Sequence, residues 1–159
     1  MTLPLETWWL PRPSKSKYKG SFPLNFESML FKRYPGMNVL QPFGGKAIIG
    51  TRCDINSDVK PDYICDAHEL PFNDNSEYDF ILLDPPYNDK YSKELYGSGP
   101  LKKSRYVAEA VRVCKPGGFV AHYDIVLNPR PHGTSYDRII TIITRVYHKP
   151  RICAVYRKD

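Results

Sequence analysis

The sequence predicts an α/β domain built on a parallel sheet, and three observations predict it. Phe80 to Leu83 is a short, continuously apolar run bounded by turn formers, the pattern of a strand buried on both faces. Glycines or acids punctuate four successive strand-like segments, at Gly44-Gly45, Asp54, Asp66 and Asp84. In an open α/β sheet the carboxyl edge of the strands is where ligands bind. A segment with Tyr106, Val107, Ala110, Val111 and Cys114 on one face follows the central run, as a helix covering the sheet would. A chain of 159 residues, 42% hydrophobic and 25% charged, has material for one core and not for two.

Residues 1–21 read as a basic aromatic arm, with Trp8, Trp9, Arg12, Lys15, Lys17 and Lys19 among prolines and serines. Such an arm either grips nucleic acid through counterion release and stacking, or is packed down by its own tryptophans. Residues 22–159 then form a single domain. Phe22 to Tyr34 has helical spacing, with Asn25 as a cap and Pro35-Gly36 as the stop. Met37 to Phe43 is the first strand of the domain and runs into Gly44-Gly45. Only eight residues separate Gly45 from Asp54, too few for a crossover helix as well as a strand. The first crossover helix is therefore expected to be lost or reduced to a turn. Ala47 to Ile55 and Tyr63 to Asp66 are the next strands. His68 has no metal partner in view and reads as an ordinary loop residue. Pro100 to Lys115 is a helix closed by Lys115-Pro116-Gly117-Gly118. Phe119 to Ile125 is a further strand, and a loop at Asn128 to Ser135 replaces another expected helix. Arg138 to Tyr147 and Arg151 to Arg157 pair across His148-Lys149-Pro150 as a hairpin.

Pro85 has to end the central strand, because proline cannot donate to a ladder and holds the residue before it extended. Asp84 therefore stands just past the sheet edge. A chance Asp-Pro-Pro-Tyr could also be a polyproline-type ligand, but such ligands lie in exposed polar tails and not behind a buried strand.

Asp84-Pro85-Pro86-Tyr87 resembles the catalytic motif of the amino-group methyltransferases that use S-adenosylmethionine and modify adenine N6 or cytosine N4. The chemistry gives that motif a reason. An exocyclic base amine is a weak nucleophile until it pyramidalises. A carboxylate at Asp84 and the carbonyl of Pro85 can accept the two amine hydrogens in the reacting geometry. Tyr87 would stack on the base and help offset its extrusion from a duplex. Val39 to Gly45 is similar to the cofactor loop of the same family, with Gln41 standing where the family usually carries an acid. Asp66 to Phe72 resembles a stretch whose acid accepts from the cofactor's adenine amine. The resemblance implies a Rossmann-like class I methyltransferase sheet, order 3-2-1-4-5-7-6 with strand 7 antiparallel and crossover helices shortened. It implies a cofactor site of Gln41, Pro42, Phe43, Gly44, Gly45, Asp54, Ile55, Asp66 and Ala67, with Phe22 closing over its methionine end. An acid at a strand tip such as Asp54 suits a ribose diol, since a carboxylate accepts two hydrogen bonds.

The net charge of +6 favours a polyanionic partner without requiring one. Cys53, Cys65, Cys114 and Cys153 lack metal-ligand spacing, so buried reduced thiols and no metal site are expected. No run approaches the length of a membrane span and no signal peptide opens the chain, so a cytoplasmic protein is expected. The sequence reading is an S-adenosylmethionine-dependent N-methyltransferase acting on a base amine, DNA adenine N6 first and cytosine N4 second. RNA is the alternative acceptor, and a non-catalytic nucleic-acid-binding module is the alternative class. No segment is long enough for a target-recognition domain, which leaves a homodimer or a partner subunit open for that task.

Overall fold

The computed structural model describes residues 2–12, 22–86 and 101–159. Eight strands form one sheet: β1 (Leu5–Trp9), β2 (Val39–Gln41), β3 (Thr51–Asp54), β4 (Tyr63–Ile64), β5 (Phe80–Leu83), β6 (Phe119–Asp124), β7 (Thr134–Ile143) and β8 (Arg151–Lys158). Their order is β1-β7-β8-β6-β5-β2-β3-β4. From β4 to β7 this is the expected 3-2-1-4-5-7-6 arrangement. β8 is antiparallel to both of its neighbours, while the pairs among β2 to β6 are parallel.

The apolar continuity of β5 reflects burial on both faces, since Phe80, Ile81, Leu82 and Leu83 are all fully buried. Phe80 and Leu82 face helix α1 (Phe26–Arg33), in a cluster with Phe26, Leu30, Tyr34 and Tyr123. Ile81 and Leu83 face helix α2 (Lys103–Val113), against Tyr106, Ala110 and Val113. α1 starts later than its periodicity predicts. Asn25 does not cap it with a side chain but lies at φ 68°, its carbonyl accepting from the Met29 N–H and the Ser28 hydroxyl.

The shortened first crossover is present as expected: residues 42–50 connect β2 to β3 through turns alone. Two glycines allow it. A Cβ at Gly44 would lie 2.7 Å from the Cβ of Arg52, and one at Gly50 (φ +77°) would lie 2.5 Å from the Val39 carbonyl oxygen. The link thus packs directly onto the strands it joins, where a helix would have stood off. β3 is correspondingly shorter than the predicted 47–55. β3 and β4 are joined through one 3-10 turn, Ser57–Val59.

Beyond β4 the connection to β5 is also without a helix, and Arg112 of α2 holds it. Its guanidinium donates to the carbonyls of Leu70 and Phe72 and pairs with Asp74 and Glu109.

The start of the expected arm is a strand. β1 pairs in parallel with β7, Leu5 opposite Ile139 and Trp9 opposite Ile143. Trp8 is buried against Phe26, and its indole N–H donates to Glu6, which also pairs with Arg33 and Arg138. Trp9 faces solvent. Of the basic residues assigned to the arm, Lys15, Lys17 and Lys19 lie outside the described residues. Cys53, Cys114 and Cys153 are buried and Cys65 is half-buried, all four as free thiols.

Candidate active site at the carboxyl edge of the sheet

Because β2 to β6 run parallel, their last residues share one edge: Gln41, Asp54, Ile64, Leu83 and Asp124. Six of the residues singled out in the sequence lie at the first two strand ends of this edge: Gln41 to Gly45 lead out of β2, and Asp54 ends β3. Asp54 is almost fully buried. One carboxylate oxygen accepts from the Gly45 N–H at 2.8 Å and the other from the Asn56 N–H at 2.9 Å. Burial raises its pKa, against the pull of these bonds. Ile55 beside it is exposed.

Asp66 is the more open acid, with about half its side chain in solvent. Burial pushes its carboxyl up, but the N–H and ring of His68 outweigh this and hold it below the usual range. His68 is more than the ordinary loop residue the sequence suggests. It has a structural task, with Nδ1 on Asp66 and Nε2 accepting the Lys102 N–H just before α2. Ala67 is buried beneath this turn.

Gln41 is buried, and its amide donates to Glu27 at 2.9 Å and to the Ile49 carbonyl at 3.0 Å. Glu27, in the first turn of α1, also accepts from the backbone of Ile48 and Ile49. A carboxylate is thus present beside the position where Gln41 replaces the resembling family's acid, supplied by the neighbouring helix. Burial raises the Glu27 pKa. A lone glutamate in a helix gives no signal of this, and only the missing acid at Gln41 points to a substitute.

Asp84 follows β5 at the centre of the edge, partly exposed but otherwise enclosed by protein. Burial drives its pKa well up; the Arg151 charge opposes this, while Glu27 and Asp124 reinforce it. Burial also raises the Cys153 thiol, and the charge of Asp84 adds to that effect. Pro85 is buried and Pro86 half-buried. Tyr87, the last member of the motif, lies outside the described residues. Phe22 is placed by rings, 4.8 Å from Phe26 and 5.2 Å from Tyr123 between centroids.

A buried polar network flanks the edge on the α2 side. The Tyr106 hydroxyl meets His122 Nε2 at 2.9 Å, and Asp124 is held by Lys103 at 2.7 Å and Asn128 at 2.8 Å. Burial lowers the His122 pKa to about 4, so its ring is neutral near pH 7. Among the described residues no group of three His, Cys, Asp or Glu could hold a metal ion. No helix there is long and apolar enough to cross a membrane.

No family model matches the chain, and no curated protein matches it. Solved structures do. The chain is similar to TrmN from Thermus thermophilus, with a TM-score of 0.63 and 20% identity over 89% of this chain and 50% of that one. It thus spans about half the length of the Thermus protein. An S-adenosylmethionine-dependent methyltransferase from Aquifex aeolicus matches with a TM-score of 0.54 and 15% identity, covering 84% of this chain and 90% of its own. The yhhF protein of Escherichia coli matches with a TM-score of 0.58 and 13% identity, over 94% and 91%. The fold is that of the Rossmann-like class I methyltransferases.

Proposed function

We propose that the protein is an S-adenosylmethionine-dependent N-methyltransferase of nucleic-acid bases, with adenine N6 in DNA as the first acceptor and cytosine N4 the second. One observation carries the reading: Asp84-Pro85-Pro86 leaves the central strand β5 at the carboxyl edge of a class I sheet, where Asp54 ends β3, Asp66 follows β4 and Glu27 lies in the first turn of α1. This donor set fits the cofactor. Asp54 and Asp66 supply acceptors for a ribose diol and an adenine amine, and the acidic edge suits a cationic ligand in a chain whose net charge is +6. Glu27, fixed by Gln41, takes the place of the acid that resembling loops direct at the ammonium group. Pro42, Phe43, Gly44, Gly45, Ile55, Ala67 and Phe22 complete the cofactor residues.

When bound, S-adenosylmethionine would supply an electrophilic methyl group on a good leaving group. The protein's part is to prepare the amine. Asp84 and the Pro85 carbonyl accept its two hydrogens, favouring the pyramidal form in which the lone pair is free to attack. The displaced proton leaves through Asp84 or water. Tyr87 stacks on the base.

Calorimetric titration with S-adenosylmethionine, then incubation of mixed DNA and RNA with labelled cofactor and nucleoside mass spectrometry, tests the reading. Methylated adenine or cytosine in DNA supports it. Methylation of RNA alone moves the acceptor to the alternative polymer. Nucleic-acid binding with no cofactor affinity would make the protein a binding module that kept the fold.

A further inference from the structure

The hairpin between β7 and β8 carries residues that neither the sheet nor the reaction centre uses. At its tip Val146 and Tyr147 are exposed, Tyr147 completely so. Tyr147 lies at φ 55°, a left-handed backbone rare for a bulky aromatic residue and easy for glycine or asparagine. Neither packing nor backbone preference therefore explains a tyrosine here.

Its surroundings are cationic. Arg145 and Lys149 flank the tip and are exposed, and Arg151 follows at the start of β8. The Leu10 N–H donates to the Ile143 carbonyl at the hairpin base, which brings Arg12, two residues on, to the same end of the sheet. The charges of Arg145, Arg151 and Arg12 all reach His148. The hairpin is braced from within, with Arg145 Nη2 3.5 Å from His148 Nδ1 and Arg151 Nη1 donating to the Lys149 carbonyl at 2.8 Å. The arginine whose charge reaches Asp84 is this same Arg151. An exposed ring, cations on either side and the reaction centre thus share one end of the sheet.

We infer that the β7–β8 hairpin is a nucleic-acid clamp, in which Tyr147 stacks on a base beside the one presented to Asp84 while Arg12, Arg145 and Lys149 hold the adjoining phosphates. The inference deepens the proposed function and rests on it. A ring on a braced turn offers a stacking face with little ordering cost, and every base has a face to meet it. Phosphate binding fixes register without reading sequence, as suits a chain with no recognition segment among its described residues.

The test uses the full-length protein and two fluorescent probes, a twenty-base-pair DNA duplex and an RNA stem-loop, titrated by anisotropy at several salt concentrations. Tyr147→Gly suits the left-handed backbone, so its thermal midpoint should be unchanged or higher. Its affinity should fall at least about fivefold at every salt concentration, the lower end of what one stacked base is worth. The double variant Arg145→Gln, Lys149→Gln should instead flatten the salt dependence, by roughly 0.9 in log–log slope for each duplex phosphate that is no longer neutralised. Weakened binding to one polymer only would support the clamp and identify the acceptor. Wild-type affinity and slope in both variants would overturn it. Methyl transfer by the wild-type protein is scored separately: if that occurs while both variants bind normally, the clamp is wrong and the proposed activity stands.

Discussion

The backbone N–H of Gly45 donates to the carboxylate of Asp54 at 2.8 Å, so the last residue of β3 holds the turn that follows β2. The two halves of the proposed cofactor site are thereby one unit. Asp54→Ala should weaken S-adenosylmethionine binding, since the variant removes the proposed diol acceptor and the brace of the turn together. It should also lower stability by about 1–3 kcal/mol, because the Gly45 and Asn56 N–H groups are left without a buried partner. Calorimetry and thermal melts measure the two effects, and unchanged affinity would place the cofactor elsewhere.

Asp84→Ala should separate binding from chemistry. Cofactor affinity should stay near wild type while turnover drops by roughly a hundredfold or more, as for a group acting mainly in the transition state. Burial raises the Asp84 pKa well above 3.8, so the carboxylate that the proposed reaction needs forms only above the ordinary aspartate range. The acid limb of the rate profile should be displaced upward accordingly. Activity within a few fold of wild type in Asp84→Ala would make the residue structural.

Cofactor binding should release protons. Glu27 and Asp54 both have pKa values raised by burial, and a cation placed beside them favours their ionised forms. At a pH within the raised range, binding enthalpies measured in buffers of different ionisation heat should differ for S-adenosylmethionine. The difference should shrink for S-adenosylhomocysteine, which lacks the sulfonium charge. Equal proton release by the two ligands would dissociate these carboxyls from the sulfonium.

His122 predicts an acid-sensitive fold. Burial holds its folded pKa at about 4, below the ordinary value of 6.5, so the unfolded chain binds the extra proton between those values. Stability is retained above pH 6.5 and is lost as pH falls toward 4, by on the order of 3 kcal/mol at most. His122→Gln keeps a hydrogen-bond partner for Tyr106 and removes the titration. Thermal midpoints measured from pH 7 to pH 4.5 should fall less steeply in that variant than in wild type.

The strand ends were legible because glycines and acids punctuate them and Pro85 cannot donate to a ladder, while the order of the strands followed from the family resemblance those ends carry. The missing first crossover helix was legible from length alone. β1 was not. Its Leu-Glu-Thr-Trp-Trp alternation adjoins a segment rich in proline, serine and lysine, and Glu6 occupies an inward position that an apolar side chain would normally mark. That inward acid is satisfied by Arg33 and Arg138, both distant in sequence. Glu27 was hidden for a similar reason, as its partner Gln41 comes from another element. At the hairpin, the pairing was readable but the tip was not, since the predicted strand ran through Tyr147 where the chain has already turned.

The pairing of β1 with β7 also sets an order of events during synthesis. Glu6 and Arg138 are 132 positions apart, so at about 5–20 residues per second the first strand waits roughly seven to twenty-six seconds for its neighbour to be made. Through that interval Trp8 has no β7 beside it, and the segment bearing it is available to chaperones. Once β7 and β8 have zipped as a local hairpin, β1 closes the outer edge of β7 against pairing with other chains. β1, made before the other seven described strands, is thus among the last that can dock, and slow translation near residue 139 would lengthen the period in which newly made chains can associate wrongly.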